Sequence, residues 1–309
     1  MTARALTPAV EAIGGEKALL GESVFYDPAT NRLHWVDIPG QALLSTDAAS
    51  GETDRFSFPQ QCGFVQPCDD GTLLVGQADS ILRFDPRTRT ASTFIEIEQD
   101  APSTRTNDAV CDHKGRLVVG TMRPAPQGTV PDSIGNLYRI DGTGVKTPLL
   151  SQLSIPNGLA LSPDGRALYL ADTPKRIVWR ADYDPEVGRL GERRIFAELS
   201  EGQGRPDGAA IDAEGCYWVA AVWGWQLLRY SPRGELDLVI RLPVERPTKL
   251  AFGGSDYRTI YVTSASTHLT NPEDQPLAGR LIALDVGIVG LPAETFHASQ
   301  ERTMTRGTA

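Results

Sequence analysis

The sequence predicts an all-β chain folded as a six-bladed β-propeller, and three observations carry that expectation. Glycine (30) and proline (22) are plentiful among 309 residues, which favours many turns and short strands over long helices. A short turn element followed by an apolar strand recurs six times along the chain. The spacing of the copies, about 40–50 residues, is that of propeller blades.

The six copies begin at Asp27 (DPATNRLHWVD), Cys68 (CDDGTLLVG), Asp112 (DHKGRLVVG), Ser162 (SPDGRALYLA), Asp212 (DAEGCYWVA) and Gly253 (GGSDYRTIYVT). Asp, Ser, Pro and Gly form turns through Asx hydrogen bonds, a fixed φ and access to positive φ. The runs after them are β-branched, aromatic and apolar, as strands require. Each is followed by a second strand: ALLSTD, ILRFDP, NLYRID, IVWRAD, LLRYSP and LIALDV. A third, outer strand is legible as DRFSFP, STFIEI, KTPLL, RRIFAEL and LDLVIRLP. With the strand before each turn, a unit holds about four strands, and radial repetition leaves only short, protected sheet edges. Six units fill the chain from about Leu20 to Phe296. The expected organisation is a single domain over residues 1–309 with poorly structured tails, above all Arg302 to Ala309. An all-β sandwich or a pair of smaller barrels would not produce so even a repeat, and no linker composition divides the chain.

Composition narrows the function. Apolar residues make up 40% and charged residues 22% of the chain, enough for a sizeable core. The net charge is −9 with no Lys/Arg block, which argues against a nucleic-acid partner. An acidic protein that handles anions must carry local basic residues at its site. The four cysteines, Cys62, Cys68, Cys111 and Cys216, form no CxxC pair and no His/Cys zinc spacing, so they read as free, buried thiols in a reducing compartment. The N-terminus lacks a signal-like apolar run, and no window approaches a membrane span, so a cytoplasmic protein without a membrane partner is expected. Oligomeric state leaves no mark on the sequence.

The first strand of a blade lines the central channel, so residues at one fixed offset share one level of that channel. Five residues before each turn lie Glu22, Gly63, Asn107, Asn157, Asp207 and Thr248. Four of the six are carboxylates or carboxamides. Their convergence makes an oxygen-rich site carrying a formal charge of about −2, which costs several kcal/mol unless a cation sits between the carboxylates. A set with neither thiolate nor histidine suits one divalent ion of the Ca²⁺, Mg²⁺ or Mn²⁺ kind; Zn²⁺ and Fe²⁺ also accept carboxylates.

At these residues the sequence resembles the SMP-30/gluconolactonase (regucalcin) family. The motifs are LGES (Leu20 to Ser23), RTND (Arg105 to Asp108), GTM (Gly120 to Met122), IPNGLALSPDG (Ile155 to Gly165) and RPDGAAIDAEG (Arg205 to Gly215). FGGSDYRTIYVTSA and LAGRLIALD support them, and the resemblance extends from about Leu20 to Asp285. It implies a six-bladed propeller with one divalent cation on the axis, held by Glu22, Asn157 and Asp207. Arg105 and Asn107 are then substrate binders. Where some family members carry an acidic substrate-binding residue shortly after GTM, this chain reads GTMRPAP, which puts Arg123 in that role and implies different sugar contacts. The proline-rich segment 123–133 reads as a loop, either a lid or a plain connection.

The implied activity is hydrolysis of a sugar (aldono-) lactone to the aldonic acid, with Asp207 taking the proton of the attacking water and returning it to the leaving ring oxygen. Neither a GxSxG elbow nor an HExxH pair competes with this scheme. Two other functions use the same ligands: a non-catalytic calcium-binding regulatory propeller, and an aryl-ester or organophosphate hydrolase. The Trp223-Gly-Trp225 pair suits either sugar stacking at the channel mouth or blade packing.

Overall fold

Every strand after the turn copies is apolar on both faces, and the reason is architectural. Successive side chains of a strand point to opposite sides of its sheet, and in this protein both sides are covered. The structure, a computed structural model, describes residues 3–101, 103–126, 129 and 131–298. Its strands form six sheets arranged as the blades of a β-propeller. The inner strands, in chain order, are Gly21–Asp27, Phe64–Pro67, Arg105–Cys111, Pro156–Leu161, Arg205–Ile211 and Pro247–Gly253. Each packs against the next, and Pro247–Gly253 packs against Gly21–Asp27, closing the circle.

The core is divided among the six blade-to-blade interfaces. Val24 and Tyr26 face blade 6, while Phe25 between them faces blade 2. Tyr217 and Val219 face blade 4, while Trp218 faces blade 6. At the interface of blades 4 and 5, the Tyr169 and Tyr217 rings stack with centroids 5.0 Å apart. The recurrent turns are held by aspartate. Asp112 Oδ1 accepts from Lys114 N (2.9 Å) and Arg116 N (3.0 Å), and Asp212 Oδ1 accepts from Glu214 N and Cys216 N, both at 2.9 Å. Gly115 and Gly215 supply the positive φ that closes these turns, +72° and +78°.

The N-terminal segment corrects the expectation of a poorly structured tail. Glu11–Ile13 is the outer strand of blade 6, antiparallel to the strand Leu281–Asp285. This explains why only five outer strands can be read among the repeats: the sixth comes from the other end of the chain. Arg4–Leu6 adds a fifth strand to blade 5, parallel to Leu236–Arg241. These two pieces are too short and too exposed on one side to carry a recognisable period. At the other end Phe296 is fully buried and its N–H donates to Pro67 O at 2.7 Å. Arg302 to Ala309 lie outside the described residues. The four cysteines are free and buried. Among the described residues no helix is long and apolar enough to cross a membrane.

Candidate active site

Five of the six inner strands are irregular at the level where the offset places the ring. Pairing with the second strand of the blade slips between Glu22 and Phe25, Thr106 and Ala109, Asn157 and Ala160, Pro206 and Ala209, and Pro247 and Lys249. Blade 2, whose ring residue is Gly63, pairs without a shift. A β-bulge of this kind bends the strand and re-aims the extra side chain. Here it turns the polar residue out of the sheet and into the channel.

The carboxamides and one carboxylate then join blade to blade. Arg105 Nη1 donates to Asn107 Oδ1 (3.0 Å), and Asn107 Nδ2 donates to Asn157 Oδ1 (2.7 Å). Asn157 Nδ2 donates to Asp207 Oδ1 (2.6 Å) and to Thr173 Oγ1 (2.9 Å), whose hydroxyl donates to Pro206 O (2.8 Å). The Asx-Gly pairs of the motifs exist for close approach. At Gly158, φ is +60° and a Cβ would sit 2.4 Å from Tyr217 Oη. At Gly208 a Cβ would sit 2.2 Å from Lys249 Cδ.

Glu22 faces the same space from blade 1. Its Oε2 accepts from Ser23 N at 3.1 Å. Glu22 Oε1 and Asp207 Oδ2 take no hydrogen bond among the described residues. Burial pushes the Glu22 carboxyl up to about 7, the charge of Asp108 adds to this, and Lys249 and Arg105 oppose it. Asp207 is raised well above the carboxylate range, first by burial and then by Glu22 and Asp108. Burial lowers Arg105 to about 10 against the pull of Glu22 and Asp207.

Two ring positions do other work. Thr248 Oγ1 donates to Gly21 O at 2.5 Å, tying blade 6 to blade 1, and lies 3.0 Å from Thr263 Oγ1 within blade 6. A Cβ at Gly63 would lie 2.3 Å from Thr106 O, so glycine there lets blades 2 and 3 meet.

Arg123 is not drawn into this network. Its Nε and Nη2 donate to Ser103 Oγ (3.1 and 2.9 Å) and its Nη1 to Asp132 Oδ2 (2.7 Å), so its donors tie two surface segments together. The lid reading of segment 123–133 falls partly on residues 127, 128 and 130, outside the described residues.

Residue-type reasoning missed a second layer. Lys249 Nζ donates to Asp108 Oδ1 at 2.9 Å, with the two side chains only 7% and 5% exposed. Asp108 Oδ2 accepts from Leu159 N (2.9 Å), a backbone group released by the bulge of blade 4. The signal was present: each is the residue after a ring position, and each is a charge followed by an apolar run, AVC after Asp108 and LAF after Lys249. Beyond this pair the channel holds a mostly apolar cavity of about 280 Å³, with Gln66 and Lys249 in its wall and residues 291–294 at its end.

The donor set fits a hard divalent cation. Two carboxylates each keep an oxygen free, Asn157 Oδ1 keeps a second lone pair, and both carboxylates hold their charge poorly without a counter-ion. Among the described residues no three His, Cys, Asp or Glu side chains gather as a metal cluster, so the set is a mixed carboxylate and carboxamide one.

A six-bladed propeller with an axial ring of carboxylates and carboxamides defines the class, and comparison with known proteins gives the family. Residues 20–266 match the model of the SMP-30/Gluconolactonase/LRE-like region, and the chain belongs to this family. It is 33% identical over 285 residues to 6-deoxy-6-sulfogluconolactonase of Pseudomonas putida, covering 91% of this chain and 96% of that protein. To regucalcin of Gallus gallus it is 32% identical over 297 residues, covering 93% and 98%. The crystal structure of regucalcin from Agrobacterium tumefaciens, described as a calcium-binding protein, superposes with a TM-score of 0.90 at 27% identity, covering 96% of this chain and all of that one.

Proposed function

We propose that the chain is a sugar lactonase that hydrolyses an aldonolactone to the aldonic acid with the help of one divalent cation. The observation that carries this reading is the chain of hydrogen bonds from Arg105 through Asn107 and Asn157 to Asp207, ending on a carboxylate with one oxygen still free. The lactonase name of a relative covering nearly the whole chain supports it.

Glu22, Asn157 and Asp207 would hold the cation. Bound there, it supplies Lewis acidity toward the lactone carbonyl and toward water. The chain's own groups do the rest. Asn157 fixes Oδ1 of Asp207, and Oδ2, with one lone pair toward the cation, keeps a second to take a proton from the attacking water as the new C–O bond forms. The same oxygen returns that proton to the ring oxygen as the ring C–O bond breaks, so lactone and water give the hydroxy acid with no net change on the protein. Arg105 offers its remaining N–H donors on the neighbouring wall, toward the carbonyl oxygen that gains charge or toward a sugar hydroxyl. Asn107, whose two N–H groups go to Asn157 Oδ1 and Pro156 O, holds Arg105 through its own Oδ1.

The test is proton release from a panel of aldonolactones by chelator-stripped protein, refilled in turn with Ca²⁺, Mg²⁺, Mn²⁺, Zn²⁺ or Fe²⁺. Hydrolysis restored by metal is the expected result. Absence of turnover on every lactone would overturn the reading, and tight Ca²⁺ binding without turnover would replace it with an ion-binding role.

A further inference from the structure

The offset that gathers the ring also gathers a second set of residues. Two positions before Asn107, Asp207 and Thr248 lie Arg105, Arg205 and Arg246; the same position in the other blades holds Leu20, Gln61 and Ile155. Arg105 and Arg205 open the inner strands of blades 3 and 5, and Arg246 immediately precedes that of blade 6. Two residues of extended chain span about 7 Å, so three blades carry an arginine about one layer from the ring, on the side where the inner strands begin, in a chain whose net charge is −9.

These arginines are not used up by the protein. Arg105 donates to Thr106 O (2.7 Å) and Asn107 Oδ1 (3.0 Å), and Arg246 donates to Thr267 O. None of the three forms an ion pair among the described residues. Arg246 is 8% exposed, and its Nε is buried without a hydrogen-bond partner among the described residues. The adjacent Glu245 is engaged elsewhere, accepting from Thr270 N at 2.7 Å and from the Thr270 hydroxyl at 2.5 Å. The guanidinium carbons of Arg205 and Arg246 both lie over the Trp223 ring, 5.5 and 4.9 Å from its centroid. That indole is 45% exposed and is presented by a residue at φ +61°. A left-handed tryptophan on the surface, gripped by two unpaired guanidiniums, is costly to build for packing alone. A guanidinium with free N–H groups in a partly desolvated place is a receptor for a tetrahedral or planar oxyanion.

We propose that Arg205 and Arg246, aligned by Trp223, form an oxyanion subsite that selects aldonolactones bearing an anionic substituent, phosphate or sulfonate, on the carbon farthest from the lactone carbonyl. The inference rests on the lactonase reading: the carbonyl lies at the ring of Glu22, Asn157 and Asp207, and the tail of a six-carbon lactone spans the one layer up to the arginines. The bland alternative is that the arginines only offset the charges of Glu22 and Asp207. The two differ in what a neutral substitution does to substrate choice.

The experiment compares kcat/KM of the wild type, Arg246→Gln and Arg205→Gln on gluconolactone, 6-phosphogluconolactone and 6-deoxy-6-sulfogluconolactone. The wild type is expected to favour one of the anionic lactones, and which one names the group. Each substitution should lower kcat/KM for that lactone about 10- to 100-fold further than for gluconolactone, the range of a lost charge-assisted hydrogen bond. Equal losses on charged and neutral lactones, or a wild type that prefers gluconolactone, would overturn the subsite. Should the wild type hydrolyse none of the three nor any other aldonolactone of the panel, the lactonase reading fails. Equilibrium binding then decides the subsite: 6-phosphogluconate or 6-deoxy-6-sulfogluconate held more tightly than gluconate by the wild type but not by Arg246→Gln supports it, and no such difference refutes it.

Discussion

Lys249 and Asp108 meet across the axis of the propeller, from inner strands on opposite sides of the ring, with Nζ and Oδ1 2.9 Å apart. Both side chains are almost wholly buried, so the pair forms a floor between the carboxylate ring and the apolar cavity beyond it. Removing one partner strands the other charge in the channel. Lys249→Met is therefore expected to cost about 3–5 kcal/mol in denaturant unfolding. A double substitution, Lys249→Met with Asp108→Leu, should recover much of that loss. A single variant as stable as the wild type would mean that the pair contributes nothing.

Asp207→Asn keeps the shape of the side chain and removes the proposed proton acceptor. The rate of proton release at saturating lactone should fall about 10²- to 10⁴-fold, while the circular dichroism spectrum stays that of the wild type. A near-normal rate would take Asp207 out of the chemistry.

His34 makes stability depend on acid. It is 4% exposed, its Nδ1 has no partner among the described residues, and its ring stacks on Phe25 with centroids 5.1 Å apart. Burial holds it down to about 4 from an ordinary 6.5. The unfolded chain binds this proton more readily, so stability is full above pH 6.5 and declines as pH falls toward 4, by up to about 3 kcal/mol. Urea midpoints measured across that window should slope downward with acid in the wild type and less steeply in His34→Leu. Equal slopes would show that His34 does not set the acid limit.

Gly208→Ala should act at a distance from its own strand. The new methyl group would meet Lys249 Cδ at 2.2 Å and Thr248 O at 2.8 Å, so the lysine stem must shift. A loss of about 1–3 kcal/mol is expected, as for overpacking elsewhere. The loss should shrink in the background of Lys249→Ala, which removes Cδ, and a thermal-melt double-mutant cycle would register the coupling. Strict additivity would refute the steric link.

Turn chemistry and the repeat made the blades legible, because Asx turns and apolar strands are local features with a local code. The offset also found Glu22, Asn107, Asn157 and Asp207, since equivalent residues of a closed ring must share a level. The bulges escaped it. A bulge depends on which residue of the partner strand is opposite, and the Gly after Asn157 or Asp207 hints at one without stating it. Lys249 and Asp108 were passed over for a related reason: their pairing spans the ring, and no window of sequence contains both. Arg123 was placed at the site by position alone, whereas its donors are taken by Ser103 and Asp132. The strand Glu11–Ile13 was hidden because three residues carry no period.

That short strand sets an order of events during synthesis. Blade 6 needs Glu11–Ile13 from the start of the chain and Leu281–Asp285 from near its end. A ribosome can therefore release blades 1 to 5 as an open arc, but the circle cannot shut until Leu281–Asp285 has emerged. Glu22 leaves the exit tunnel early and waits beside a gap until Pro247–Gly253 arrives to flank it. The ring of polar side chains thus closes only with the last blade, and a nascent or prematurely terminated product would expose the unpaired faces of its first and fifth blades.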